Sequence, residues 1–149
     1  MINSGVSWNT SSDVLARLNW ALEGIETPQI ALVVIGGNDG LRSASLQTLR
    51  NNIETIIDTL QSKNIQVVLW WMQIPPNLGL SYSHDFKNMY QEIAEAKKVP
   101  LIPFFLEGVA AQRELNLADM IHPNEAWYAI IAKNVFDFLL SQKLLVWSK

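Results

Sequence analysis

The sequence predicts an α/β protein built on a parallel sheet, and three observations carry that prediction. Short apolar runs rich in β-branched residues recur at Ile30–Ile35, Ile65–Trp71 and Val99–Phe104. Between them lie stretches whose apolar residues return at three- and four-residue steps, the period of a helix with one buried face. Strands alternating with helices at this spacing pair in parallel, with helices on both faces of the sheet. In such sheets functional groups collect in the loops beyond the carboxyl ends of the strands.

The elements follow in order. Met1–Val6 reads as a short strand running into the polar turn Ser7-Trp8-Asn9-Thr10, and Ser11 or Ser12 then caps a helix carrying Val14, Leu15, Leu18 and Leu22. Ile30–Ile35 is continuous and β-branched, which suits a strand covered on both faces. It stops at Gly36-Gly37-Asn38-Asp39-Gly40, a turn signal rich in residues that tolerate positive φ. From Ser45, the residues Leu46, Leu49, Ile53, Ile56, Ile57 and Leu60 mark an amphipathic helix ending near Ser62. Ile65–Trp71 is a second buried strand, followed by a loop containing Pro75-Pro76-Asn77-Leu78-Gly79. Phe86, Met89, Tyr90 and Ile93 mark another helix, and Val99–Phe104 a third interior strand. The last helix spans about Asn124 to Leu140, with Trp127, Ile130, Ile131, Val135 and Leu139 facing inward.

Composition sets the bounds. A chain of 149 residues suits one domain, residues 1–149, in which folding buries about 70% of the surface the unfolded chain exposes. Hydrophobic residues at 49% against charged residues at 17% predict an ordered interior. A net charge of −3 and a pI near 5.3 argue against a nucleic-acid partner. The absence of cysteine excludes disulfides, thiolate metal sites and thiol nucleophiles. No uncharged apolar run reaches the length of a membrane span, and no basic-then-apolar leader opens the sequence.

Three loops hold the chemistry. In Gly36-Gly37-Asn38-Asp39 the glycines let backbone amides approach a ligand, and Asn38 offers an amide donor at the rim of the sheet; taken alone, a purely structural turn is the better reading. No Gly-Lys-Ser/Thr follows, so this is not a phosphate loop. In Asp119-Met120-Ile121-His122-Pro123-Asn124 a carboxylate three residues before a histidine can fix Nδ1 and leave Nε2 toward the cleft, the base-and-orienter half of a hydrolytic triad. The alternative is a helix-capping Asp119 beside an incidental surface His122. The third loop is Gly5-Val6-Ser7-Trp8-Asn9-Thr10, whose amides face the same rim. His84 reads as the solvated start of a helix, Trp70 and Trp71 as core packing, and no set of metal ligands converges.

Together these loops resemble the SGNH (GDSL-type) hydrolase family, and more closely its arylesterase and acyl-CoA thioesterase branch. The resemblance rests on Ile35-Gly36-Gly37-Asn38-Asp39-Gly40-Leu41-Arg42 and on Asp119 to Asn124. It extends through Asn3 to Ser11 with Leu15-Ala16-Arg17-Leu18, Met72 to Gly79, and Val99 to Phe105, all in family order. It implies a three-layer α/β/α sandwich of flavodoxin-like type that hydrolyses small acyl esters or thioesters through a serine acyl-enzyme, without a cofactor or metal. Carried across by motif, Asn38 would be an oxyanion donor, His122 the general base and Asp119 its orienter. A preorganised oxyanion donor is worth roughly 3–4 kcal/mol in such chemistry.

Two departures stand out. The family's nucleophilic serine lies in a Gly-Asp-Ser-Leu motif after its first strand; these residues contain no Gly-Asp-Ser, and Met1–Val6 corresponds to the family's second strand. Trp8 stands where the family's second motif has its oxyanion glycine, so a backbone N–H remains but an indole crowds it. The expectation is an SGNH hydrolase domain truncated at its amino end and impaired as this chain. Its alternatives are a non-catalytic binding module on the same fold, and a hydrolase recruiting Ser4 or Ser7 as substitute nucleophile. The absent first family strand would expose the edge of Ile30–Ile35, to be filled by Met1–Val6 or by a second copy in a homodimer. Many members of the branch are periplasmic or secreted.

Overall fold

A computed structural model describes residues 1–104 and 124–145 and divides the chain into two compact units, Met1–Leu101 and Ile102–Lys149. In chain order the elements are α1 (Ser11–Leu22), β1 (Ile30–Val33), α2 (Gly37–Leu41), α3 (Leu46–Ser62), β2 (Gln66–Trp70), α4 (Leu80–Lys97), β3 (Leu101–Ile102) and α5 (Glu125–Ser141). A 3₁₀ turn at Pro76–Leu78 precedes α4. The fold is α/β, and its sheet has the order β1-β2-β3.

β1 and β2 run parallel, with Ala31 opposite Val67 and Val33 opposite Leu69. These four turn to one face and meet the apolar stripes of α3 (Leu49, Ile53, Ile56, Ile57, Leu60) and α4 (Phe86, Met89, Tyr90, Ile93). Both stripes match the periodicity in the sequence. Each large apolar side chain buried there contributes about 1.5–3 kcal/mol relative to leaving it in water. α1 joins the cluster at its margin through Val14, Leu15, Leu18 and Leu22.

Several expectations are corrected. Met1–Val6 forms no strand: Ile2 and Val6 are more than half exposed, and the backbone finds side-chain partners instead. The Asn3 side chain accepts from the Gly5 N–H at 2.9 Å, and Arg17 donates to the Ser4 carbonyl at 2.8 Å. The segment therefore does not fill the edge beside β1. β1 is not covered on both faces either, because Leu32 and Val34, which alternate with the core residues, are 39% and 48% exposed. The cap of α1 is Thr10 rather than Ser11 or Ser12, in a capping box with Asp13. β3 is shorter than the Val99–Phe104 run because Pro100 and Pro103, which have no N–H, bracket it.

In the second unit Asn124 caps α5, accepting from the Trp127 N–H at 3.2 Å. Trp127 and Leu139 are buried and Ile131 and Val135 half-buried, a seam of four-residue steps. Ile130 lies off that seam and is exposed, contrary to expectation. Among the described residues no helix is long and apolar enough to cross a membrane.

Candidate active site

Past the end of β1, Gly36 turns the chain with φ +97°, a conformation that side chains resist. Space is closed as well: a Cβ on Gly36 would stand 2.0 Å from the Tyr90 hydroxyl. That hydroxyl donates to the Ile35 carbonyl at 2.9 Å, pinning the loop to α4. Burial, reinforced by the negative charge of Asp39, pushes the Tyr90 phenol far above its usual range. Gly40 is equally tight, since its Cβ would lie 2.5 Å from Ile74 Cγ2. Residues Gly37–Leu41, expected as a turn, form the short helix α2 seated on Phe86 and Ile74.

The two polar residues of this loop diverge. Asp39 turns inward and is buried, accepting from the Ser11 N–H at 2.9 Å and the Ser11 hydroxyl at 2.6 Å. Asn52 of α3 donates to the hydroxyls of Ser11 and Ser12, each at 2.9 Å, so one polar cluster joins α1, α2 and α3. Asn38 is half-buried, and its Nδ2 donates to the Asn9 carbonyl at 2.9 Å. Asn9 is in turn gripped by Arg17, whose Nε donates to its Oδ1 at 2.8 Å. An amide NH₂ carries two N–H bonds, and one of those of Asn38 is fixed on the Asn9 carbonyl.

Trp8 lies one residue before that carbonyl, in the left-handed region at φ 66° and 74% exposed. Its carbonyl accepts from Arg42 at 3.4 Å. Ser4 and Ser7 are both exposed, outside any strand. The structure thus brings together Asn38 and the loop of Trp8. Asp119 and His122 lie outside the described residues. His84 is exposed within α4, beside Asp85 and Asn88. Trp70 is buried, and Trp71 donates its indole N–H to the Lys87 carbonyl at 3.0 Å. Among the described residues no three His, Cys, Asp or Glu side chains cluster as metal ligands.

The sequence reading missed Asp39, Ser11 and the Arg17–Asn9 pair. Asp39 stands in the loop motif, but its partner Ser11 lies 28 residues away, where the sequence alone suggests a helix cap.

The α/β fold with its small parallel sheet is shared with solved esterases of the SGNH-hydrolase family. The crystal structure of the psychrotrophic esterase EstA from Pseudoalteromonas sp. superposes with a TM-score of 0.90 at 30% identity, covering 97% of this chain and 78% of that one. The sequence model of the GDSL-like Lipase/Acylhydrolase family matches residues 1–130, and the chain belongs to that family. It is 36% identical to Esterase TesA of Pseudomonas aeruginosa over 139 residues, 93% of this chain and 69% of the relative. It is 35% identical to the Arylesterase of Vibrio mimicus over 132 residues, 87% of this chain and 66% of the relative. The chain thus spans about two thirds of the length of these curated relatives.

Proposed function

We propose that this chain carries the oxyanion and base portion of an ester or thioester hydrolase that works through a serine acyl-enzyme. Asn38 gives its remaining N–H to the carbonyl oxygen of a small acyl ester or thioester as that oxygen gains charge. His122 takes the proton of the attacking hydroxyl and returns it to the leaving group, and Asp119 holds the histidine in the required tautomer. The observation that carries this reading is the fixation of Asn38, through its bond to the Asn9 carbonyl and the buried Asp39 beside it. Names of relatives such as Esterase TesA and Arylesterase support the reaction class.

No Gly-Asp-Ser occurs in these 149 residues, so on their own they are expected to turn over esters weakly. The test is hydrolysis of p-nitrophenyl acetate and a short acyl-CoA by this chain, and by a chimaera in which the Gly-Asp-Ser segment of a relative precedes Met1. The chimaera should gain activity that Asn38→Ala lowers about 10²- to 10³-fold. A folded chimaera without turnover leaves the non-catalytic binding module as the reading. Turnover by the unextended chain that disappears in Ser4→Ala or Ser7→Ala would instead assign a substitute nucleophile. Among the described residues β1 has a strand neighbour on one side only. We expect a second copy to pair there, and sedimentation velocity showing a monomer at all concentrations would exclude it.

A further inference from the structure

Trp8 holds a left-handed backbone, φ 66°, which a bulky side chain adopts only under strain and glycine adopts freely. Such strain persists where the surroundings impose it and where the side chain has a use. The surroundings are visible: the Val6 carbonyl accepts from the Asn9 N–H at 3.3 Å, closing a turn around Ser7 and Trp8, and Arg42 donates to the Trp8 carbonyl. Burial is not the use, because the residue is 74% exposed. The next residue supplies the carbonyl that fixes Asn38. A large flat aromatic group is therefore displayed one residue before the carbonyl that holds Asn38, largely uncovered by the described residues. Leu41, next to Arg42 in sequence, adds a second exposed apolar side chain at 57%.

We propose that Trp8 is a specificity-determining residue, its indole a stacking platform for the ring of an aryl ester whose carbonyl oxygen is received by Asn38; this rests on the hydrolase reading of Asn38. An indole face attracts an aromatic ring beyond what area alone gives, through the offset or edge-to-face geometry of two π-systems, and a saturated ring of the same size forgoes that term. The selected substrates are esters that carry an aromatic ring beside the reacting ester group.

The experiment uses the 149-residue chain, labelled with ¹⁵N, and two carbonyl probes that cannot be hydrolysed, acetophenone and cyclohexyl methyl ketone. Acetophenone should shift both the Asn38 side-chain NH₂ and the Trp8 indole N–H, and bind about three- to tenfold more tightly than the saturated ketone. Trp8→Gly should abolish that preference while Tm stays level or rises by about 3 °C, since the strain is relieved and little burial is lost. Equal affinities, a preference that survives Trp8→Gly, or a clear fall in Tm would each overturn the proposal and leave Asn38 in its role. If neither ketone moves the Asn38 NH₂, the hydrolase reading fails and the proposal with it.

Discussion

Ser11 and Asp39 are joined at two points, the Ser11 N–H on Oδ2 at 2.9 Å and the Ser11 hydroxyl on Oδ1 at 2.6 Å. Both residues are buried, so this clasp fixes the first turn of α1 against the loop that presents Asn38. Asp39→Ala leaves two donors unmet in the interior and is expected to cost about 2–4 kcal/mol. Asp39→Asn keeps one acceptor but sets an amide donor against a donor, at about 1–3 kcal/mol. Urea unfolding measures both; a loss under about 0.5 kcal/mol for the alanine variant would show that the clasp is not needed.

Gly36 and Tyr90 compete for the same space. Gly36→Ala places a methyl 2.0 Å from the Tyr90 hydroxyl and is expected to cost about 3 kcal/mol, from lost hydrogen bonding and backbone strain together. Tyr90→Phe removes the clashing oxygen, so the double variant should be more stable than the sum of the single losses implies. Additive losses in that cycle would mean that the glycine is required for its φ alone.

Alkaline stability should report on Tyr90. Its phenol is held above the ordinary value of 10.0, first by burial and then by the charge of Asp39. A raised folded pKa makes the contribution complete below about pH 10, and lost as pH rises beyond the unfolded value. Urea midpoints measured from pH 8 to 11.5 should therefore fall above pH 10, and fall less steeply in Tyr90→Phe. Identical slopes for the two proteins would remove Tyr90 as the source.

Acid should act on α1 through Asp13. The Thr10 backbone N–H, then the Thr10 hydroxyl, bond its carboxylate and lower its pKa from 3.8. A depressed folded pKa means the stabilisation is present above about pH 4 and is lost as pH falls through the lowered value. In an NMR titration Thr10→Ala should move the Asp13 midpoint back up, because the hydroxyl bond is gone. An unchanged midpoint would assign the shift to the backbone bond alone. The same variant should lose about 1 kcal/mol as the helix cap disappears.

Legibility from sequence followed periodicity. Leu49, Ile53, Ile56, Ile57 and Leu60 repeat on one helical face, and the structure buries all five, so α3 was readable to within a residue at each end. The β2 run was equally plain because nearly every residue in it is buried. Met1–Val6 misled: its composition suits a strand, but a strand exists only with a neighbour, and the side chains of Asn3 and Arg17 supply its backbone partners instead. The glycines of Gly36-Gly37-Asn38 mark a tight turn in the sequence, and the structure closes that turn on the Tyr90 hydroxyl. The use of Asp39 was not legible, because a buried carboxylate is defined by a partner far along the chain. Nor does a tryptophan in sequence disclose a left-handed backbone.

Asn9, Thr10 and Ser11 follow one another without a gap, and each has a separate attachment: the Asn38 amide, the Asp13 capping box and the buried Asp39. Three anchors on consecutive residues leave the chain no slack. A single inserted or deleted residue here would put all three out of register at once, whereas a change of length beyond α1, between Glu23 and Gln29, need disturb none of them. The amino-terminal side of the loop behaves as a ruler rather than a tether. Homologous loops exchanged into this protein should therefore be matched for length at these three positions before they are matched for side chain.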